Sequence, residues 1–491
     1  MTNKASTSSV TLPPQWETLA ARALNAIRDA GADYGDIRLM ESRTESLRGE
    51  DGRVAQVQDA RDSGFGIRVL HRGAWGFAAS AIQSLEEVPR IAALAVEVAT
   101  QSARLMREPV TLAPEPSHRD VVVTSARIDP FAIPLQDKSG LLLDTMSALQ
   151  RTSGIVRSRA ELWARRDLKL FASTEGTHLA FDLLATQGEC AATAAHDGRF
   201  ASRSFNTPHL RMGYEVIDNA QFVEVAPRIA AQALEKVRAP AVDAGAYDLV
   251  LDGEHLSLTI HESCGHPSEL DRALGYEANY AGTSFLTPNH LGRFQYGSEQ
   301  VSLVADNTES GTLAATGYDD DGVACQRWEI VRDGTFVGYC TNREVAGAIG
   351  EARSRGSNRA DGWSGVPMVR IANIGLQPGV GTPDDLIAGI DRGIYIEGHG
   401  SYSIDQRRYN FQFGGDAFWL IEHGRRTHML RDVVYHGITP DFWGRCDGVA
   451  DVRFRTRFGF ITCGKGQPTQ AGWMTHAASP ARFRQVQVIR G

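Results

Sequence analysis

Long hydrophobic runs are absent from this sequence of 491 residues. The longest apolar stretches, such as IAALAVEVA at 91–99, fall well short of the ~20 residues that a membrane-spanning helix needs, and charged residues flank or interrupt them. We therefore predict no transmembrane helix and no membrane partner. The N-terminal stretch MTNKASTSSVTLPPQ also lacks the apolar core of a signal peptide, so residues 1–14 are predicted to form a flexible tail.

An excess of positive charge is missing as well. Lysine and arginine together number 51 against 59 aspartate and glutamate residues, which gives a formal net charge of -8. Because no basic field is available to gather phosphates, we predict that nucleic acid is not a partner. The six cysteines are scattered through a long chain and lack the spacing of a disulfide framework, which predicts a reducing cytoplasm as the location.

The composition is typical of a folded protein with more than one domain. Hydrophobic residues make up 42% of the chain and charged residues 22%, and the length favours at least two domains. Apolar residues at helical spacing predict a helix that begins at Trp16 and ends at Gly31. Segments rich in strand formers then predict an antiparallel meander. They are DIRLMES (36–42), RVAQVQD (53–59), GFGIRVL (64–70) and AWGFAAS (74–80).

The rest of the chain divides into two parts of different character. Helices are predicted near 84–106 and 134–151 and in RIAAQALEKVR, with Pro227 near the start of the last one, and strands fill much of 155–213. Beyond the linker-like APAVDAGAY, strand segments such as VSLVADN and TFVGYCT dominate. We predict an α+β fold, with a mixed α/β N-terminal domain at 15–239 and a β-rich C-terminal domain at 240–491.

The stretch HESCGHPSELD at 261–271 carries the candidate chemistry. His261 and His266 are five residues apart, which separates them by about 140° on an ideal α-helix, too wide for one metal ion. A π-bulge, or an end of the helix favoured by Pro267, would bring the two imidazoles together. Glu262 would then act as general base. The alternative is that the string arose by chance and that its side chains are solvated or hydrogen-bonded on a helix.

Two histidines alone provide too few ligands for a divalent ion, so a third protein ligand is required. Cys463, in ITCGKGQP, follows a strand-like segment, and Lys465 beside it would favour the thiolate. Cys264 competes for this role, because it lies three residues after His261 and would share a similar face of a regular helix. The remaining thiols are interpreted as structural: Cys190, Cys325, Cys340 and Cys446.

These motifs resemble the TldD/PmbA metallopeptidases, specifically the TldD-like branch that retains His-Glu-x-x-x-His. HESCGHPSELD is similar to the family's HEAVGHxxEGD and departs from it at Ser263, Cys264 and Leu270. The upstream GFGIRVLHRGAWGFAAS is similar to the family's N-terminal strand pair. Downstream segments match in type and order, so that the resemblance covers nearly the whole chain. They include GTSFLTPN, TGYDDDG, GVPMVRIANIGLQPG and CGKGQP.

The resemblance implies a zinc peptidase. By matching position it implies Zn²⁺ held by His261, His266 and Cys463, with Glu262 as the catalytic acid/base, and so favours Cys463 over Cys264. It also implies an α/β N-terminal domain, a β-rich C-terminal metallopeptidase domain and a dimer around an enclosed cavity. The implied substrates are unfolded, extended or modified peptides.

Two alternatives come from other functional classes. The first is a non-hydrolytic subunit that binds peptides or stabilises a partner, against which the intact Glu262 argues; the dimer would pair this chain with itself or with a family member that lacks the motif. The second, a metal-dependent oxidoreductase, lacks support because no Gly-rich dinucleotide fingerprint follows a strand.

One segment, HGSYSIDQRRYNFQFGGD, departs from the family's Gly-rich pattern. The departure predicts a different cleft shape, and the residues that carry it are Tyr402, Arg407, Arg408 and Tyr409.

Overall fold

The structure is a computed structural model that describes residues 10–491. Residues 1–9 of the predicted N-terminal tail lie outside the described residues. Leu12, which is part of the predicted tail, packs against the hydrophobic cluster that contains Trp16. In the described part of the chain no helix is long and apolar enough to cross a membrane. All six cysteines are free.

The N-terminal half contains five α-helices and seven strands in its described residues. Its helices are α1 (Trp16–Asp29), α2 (Glu87–Ala103), α3 (Leu135–Gln150), α4 (Glu215–Asp218) and α5 (Phe222–Arg238). Its strands are β1 (Tyr34–Glu50), β2 (Arg53–His71), β3 (Ala74–Ser80), β4 (Arg119–Val123), β5 (Ile155–Ser173), β6 (His178–His196) and β7 (Arg199–Asn206).

One sheet organises this half. Its strand order is β3-β2-β1-β5-β6-β4, with β7 also paired to β6, and the pairs are antiparallel except that β4 runs parallel to β6. The predicted meander is present, but RVAQVQD and GFGIRVL belong to one long strand, β2, rather than to two. They merge because β2 pairs with β1 along its whole length, which satisfies the backbone even where the side chains are exposed.

The helices of this half cover one face of the sheet in two groups. Helices α1 and α2 pack on Ile37 and Leu39 at one end of the long strands, and α3 and α5 pack around Leu47 at the other. These three strand residues share a face because side chains alternate along a strand. The prediction for Pro227 is wrong in position: α5 already begins at Phe222, so the proline lies inside the helix, where its missing N–H removes one backbone bond.

The C-terminal half is rich in strands, as predicted. Its helices are α6 (Gly253–Ile260), α7 (Leu270–Ala273), α8 (Pro383–Ala388) and α9 (Thr439–Gly444). Its strands begin with β8 (Gly245–Leu251), β9 (Leu303–Asp306), β10 (Arg327–Arg332), β11 (Thr335–Phe336), β12 (Asn358–Arg359), β13 (Met368–Val369), β14 (Ile374–Leu376), β15 (Arg392–Glu397) and β16 (Tyr402–Ile404). They continue with β17 (Asn410–Gly414), β18 (Ala417–Glu422), β19 (Arg425–Leu430), β20 (Val433–Ile438), β21 (Cys446–Val449), β22 (Thr456–Lys465), β23 (Gln470–Ala478) and β24 (Ala481–Arg490).

Two sheets of this half enclose helix α6. One has the order β11-β10-β9-β14-β23-β22, and the other has the order β16-β17-β20-β24-β8-β15-β18-β19, with β21 beside β24. Helix α6 follows β8 after a single residue and contacts strands of both sheets, while Leu256 and Ile260 anchor it in their shared core. The residues that follow Ile260 are therefore fixed between the two sheets.

The face of the N-terminal sheet that the helices leave free packs against the C-terminal half through buried charges. Arg68 Nη2 lies 2.7 Å from carboxylate oxygens of both Asp36 and Asp321. Lys169 Nζ donates to Asp320 at 2.9 Å. The two aspartates beyond residue 300 come from TGYDDDG, so this motif joins the two halves.

We expect the interface to depend on Arg68. Arg68→Met leaves Asp36 and Asp321 buried without their cation and is expected to lower the free energy of unfolding by about 3–5 kcal/mol, as measured by urea denaturation. Arg43→Met, which breaks a more exposed ion pair with Asp59, is the control and is expected to lower it by about 0–1 kcal/mol. Equal losses in the two variants would contradict the assigned role of the buried pair.

Candidate metal centre

The helix that carries the motif changes its geometry at His261. Asp252 caps α6 by accepting a hydrogen bond from the His255 N–H at 2.7 Å. After Ile260 the backbone forms a π-helical turn over His261–Gly265 and then a 3-10 turn over His266–Ser268. The π-helical turn that the five-residue spacing predicts is therefore present. The alternative, an end of the helix at His266 favoured by Pro267, is wrong, because Gly265 and His266 both keep right-handed helical backbone and the helical turns end only after Ser268.

Gly265 allows this turn to approach the sheet. A Cβ atom at that position would lie 2.8 Å from the Ile371 side chain, closer than packing permits. The absence of a side chain thus lets the π-helical turn lie against the core and keeps His266 in place.

The three predicted metal ligands converge. The candidate ligand atoms of His261, His266 and Cys463 all lie within 4.8 Å of one another, and all three residues are buried. His266 Nε2 and Cys463 Sγ are 3.5 Å apart. Zinc bonds of about 2.0–2.1 Å to nitrogen and about 2.3 Å to sulfur, at a tetrahedral angle, place these two atoms roughly 3.5 Å apart. The site therefore fits zinc.

Each histidine has one ring nitrogen bound by a neighbouring side chain. His261 Nδ1 lies 3.0 Å from His476 Nε2, and His266 Nδ1 lies 2.9 Å from Glu269 Oε2. These partners leave Nε2 of both rings for a metal, and they fix the ring orientations as second-layer partners of metal ligands commonly do. Sequence reasoning missed His476, because nothing in the local segment WMTHAA distinguishes it from any other histidine of a strand.

Lys465 has a different role from the predicted one. Its ammonium group is fully buried and lies 3.1 Å from Glu269 and 2.7 Å from Asp271, rather than serving the thiol. Burial opposes ionisation of Glu269, but Lys465, followed by His266, outweighs it and holds the pKa of this carboxyl well below its ordinary range. Lys465 therefore acts on the metal site through the carboxylate that orients His266.

The two competing thiols lie in different surroundings. Burial would raise the pKa of Cys463, but the neighbouring His266 outweighs it, so that the thiol pKa falls below its ordinary value. Cys264 points into the hydrophobic core, and burial raises its pKa far above the ordinary value. The structure brings Cys463 to the histidines and leaves Cys264 outside the group.

Glu262 faces the same space as the ligands. It is 5% exposed, and its carboxylate forms an ion pair with the guanidinium of Arg408. Arg408 adopts a left-handed backbone conformation (φ 64°), and Thr439 Oγ1 donates to its carbonyl at 3.0 Å. Arg408, which belongs to the segment that departs from the family pattern, therefore contacts the candidate base directly.

The other residues singled out in this segment differ in their relation to the cleft. Tyr402 lines the cleft and is 58% exposed, so it is available to a ligand. Tyr409 instead packs on Phe285, with 5.4 Å between ring centroids, and Arg407 is exposed outside the cleft lining. Arg408 and Tyr402 are therefore the members of this segment that shape the cleft.

The cleft around these residues has a volume of about 710 Å³. The ring of His261 stacks on Phe460 at 4.5 Å between centroids and forms part of its floor. Strands β16 and β22, which line the cleft, are each the outermost strand of a sheet. Gln187, Glu189 and His209 of the N-terminal half complete the wall, so both halves of the chain build the cleft.

Comparison with known proteins identifies the family. The profile of the PmbA/TldA metallopeptidase C-terminal domain matches residues 244–475, and that of PmbA/TldA metallopeptidase domain 1 matches residues 35–99. Together the two matches span more than half of the chain. The chain belongs to the TldD/PmbA family. This confirms the resemblance read from the sequence, while its place in the TldD-like branch stays a prediction.

Similar TldD/PmbA proteins have been named for a metal-dependent activity. A metalloprotease of Methanocaldococcus jannaschii is 26% identical over 90% of this chain and 94% of its own length. A zinc metalloprotease TldD homolog of Saccharolobus solfataricus is 22% identical over 84% of this chain and 87% of its own. The fold is similar to that of TldE from Thermococcus kodakarensis, with a TM-score of 0.72 at 16% identity over 95% of this chain and 99% of that one.

We expect Cys463, and not Cys264, to be needed for zinc. Cys463→Ser removes the sulfur that lies 3.5 Å from His266 and is expected to lose most of the bound zinc, as measured by elemental analysis after dialysis. Cys264→Ser is the matched control, because it makes the same atomic change in the core, and it is expected to keep its zinc. Retained zinc in the first variant and loss in the second would reverse the assignment.

Proposed function

We propose that this chain is a zinc-dependent peptidase that hydrolyses unfolded or extended peptides. The observation that carries the proposal is the convergence of two imidazoles and one thiol in a cleft, with a carboxylate directly beside them. Three protein ligands with an open fourth position are typical of catalytic rather than structural zinc sites. The relatives' names support a peptidase role.

The side chains around the site have separate tasks in this proposal. His261, His266 and Cys463 hold the ion, which when bound supplies a Lewis acid that polarises a carbonyl and makes water more acidic. Glu262 takes the proton from the attacking water and delivers it to the leaving nitrogen. Its position next to His261 in the π-helical turn keeps the carboxylate within the cleft.

Arg408 supplies positive charge at the same place. One of its nitrogens contacts Glu262, and its Nε has no hydrogen-bond partner among the described residues. The ion pair holds the Glu262 carboxylate in the cleft, beside the candidate metal ligands. We infer that the remaining guanidinium donors stabilise the negative charge that develops on the substrate carbonyl oxygen.

The edges of the two sheets support the proposed preference for extended substrates. Strand β22 carries Cys463 and has a strand partner on one side only, and β16 carries Tyr402 at the edge of the other sheet. An extended peptide lying in the cleft can pair its backbone with such an edge, whereas a folded protein offers no free strand. The dimer, with a second copy or with a motif-lacking relative, is part of the proposal and rests on the family resemblance.

One observation favours a second candidate function. Because Arg408 already pairs with Glu262, the carboxylate is engaged before any substrate arrives. A chain that keeps this pair throughout would bind peptides without hydrolysing them, as a peptide-binding or partner-stabilising subunit. The two candidates differ in whether the zinc-loaded chain cleaves peptides.

We expect Glu262→Gln to separate binding from chemistry. The amide keeps the shape of the side chain but cannot accept the proton, so kcat for a fluorescent unfolded peptide is expected to fall by about 10²–10⁴-fold while zinc content stays unchanged. Glu224→Gln, the same change on an exposed residue of α5 outside the cleft, is the control and is expected to hydrolyse the peptide at nearly the original rate.

Two results would contradict this proposal. Hydrolysis by Glu262→Gln at the original rate would remove Glu262 from the mechanism. Binding of the peptide by the zinc-loaded original chain, with no cleavage, would establish the second candidate instead.

A further inference from the structure

A second, much smaller cavity lies between the N-terminal sheet and the C-terminal half. Its volume is about 70 Å³, roughly five times the ~10–15 Å³ that one water molecule needs. Strands β1, β5 and β6 form one wall, and strand β23 forms part of the other. It shares no lining residue with the cleft of the candidate metal centre.

Four cationic side chains line this cavity, and two of them are neutralised by carboxylates. Arg165 Nε donates to Asp167 at 2.8 Å, and Lys169 Nζ donates to Asp320 at 2.9 Å. Only the second pair joins the two halves of the chain, because Arg165 and Asp167 both lie on β5. The other two cations, Arg211 and Arg359, form no ion pair in the described structure.

Arg211 and Arg359 instead donate to backbone carbonyls and keep unused donors. Arg211 Nε bonds to the Leu313 carbonyl at 2.8 Å, and its Nη1 has no partner among the described residues. Arg359 bonds to the carbonyls of Trp473 and Ile371, and its Nε has no partner there. Burial lowers the pKa of each guanidinium to about 10, so both remain charged at neutral pH.

The carboxylates that line the cavity act on these two charges only from beyond ion-pair distance, Asp167 on Arg211 and Asp320 on Arg359. Each accepts its hydrogen bonds from other groups. Asp167 accepts hydrogen bonds from Ser42 and Arg165, and Asp320 accepts them from Lys169 and the Ala360 N–H. Asp319 accepts from the backbone N–H groups of Asp321, Val323 and Asn358. Asp361 accepts from the Ala471 N–H. Neither guanidinium group has a carboxylate in direct contact, so an external anion would supply the contact partner that each of these buried charges lacks.

We propose that the cavity binds a small oxyanion of the phosphate or sulfate class between Arg211 and Arg359. The planar guanidinium group matches the oxygen geometry of such anions. Arg211 and Arg359 together supply the positive charge and the directed N–H donors that bind the anion oxygens. The cavity has room for a polyatomic anion. This proposal does not rest on the peptidase function.

The bound anion would stabilise the strand pair that carries the zinc ligand. Gly472 and Trp473 of β23 line the cavity, and Gly472 pairs with Cys463 of β22 in the sheet. Trp473 lies between two of the cations, with guanidinium carbons of Arg165 and Arg211 at 5.0 and 5.7 Å from its ring centroid. An anion here offsets the repulsion between cations that pack on β23.

The first test measures thermal unfolding of the full chain as phosphate replaces gluconate at constant ionic strength. The Tm is expected to rise by roughly 1–2 °C for each tenfold increase in phosphate above the dissociation constant. Arg211→Gln is expected to lose this rise, and Arg22→Gln, the same change on an exposed residue of α1, is expected to keep it. An equal rise in all three proteins, or with chloride in place of phosphate, would overturn the oxyanion site.

A second measurement needs no variant and holds even if Arg211→Gln does not fold. Crystals of the original chain grown with selenate, an anomalously scattering analogue of sulfate, are expected to show an anomalous peak between Arg211 and Arg359. A cavity that contains only water at saturating selenate would overturn the proposal.

Discussion

The candidate site depends on a single extra residue in one helical turn. Because they are five positions apart, His261 and His266 would point apart on a regular α-helix. The π-helical turn at His261–Gly265 changes the rotation per residue, and the 3-10 turn that follows keeps His266 beside Cys463. Gly265 makes the distortion possible by leaving room for Ile371. The ligands, the base and the cleft all take their positions from this turn.

Buried polar groups hold the distorted turn in place. On one side His476 bonds the ring of His261; on the other, Glu269 bonds the ring of His266 and is itself bound by Lys465. Each imidazole is therefore oriented by a separate network, anchored on a different strand. Because unpaired charges in such surroundings are strongly unfavourable, these networks resist rearrangement and present a preorganised set of ligands.

The sequence predicts those features that local patterns encode. The α+β class follows from periodicity. The convergence of His261 with His266 follows from their spacing only on the condition that the helix is distorted. The choice of Cys463 over Cys264 came only from the family resemblance, because almost 200 residues separate Cys463 from His266 and no local pattern records that contact. His476 and the pairing of Arg408 with Glu262 are products of tertiary packing. The predicted role of Lys465 was wrong because its acidic partners, Glu269 and Asp271, lie far away in the sequence, within the HESCGHPSELD motif.

The coordination shell of the zinc-loaded chain tests the central claim most directly. X-ray absorption at the zinc edge should show one sulfur at about 2.3 Å and the remaining neighbours as nitrogen or oxygen at about 2.0–2.1 Å. This shell should lose its sulfur in Cys463→Ser and keep it in Cys264→Ser. A shell without sulfur in the original chain, or one whose sulfur disappears with Cys264, would contradict the site described above.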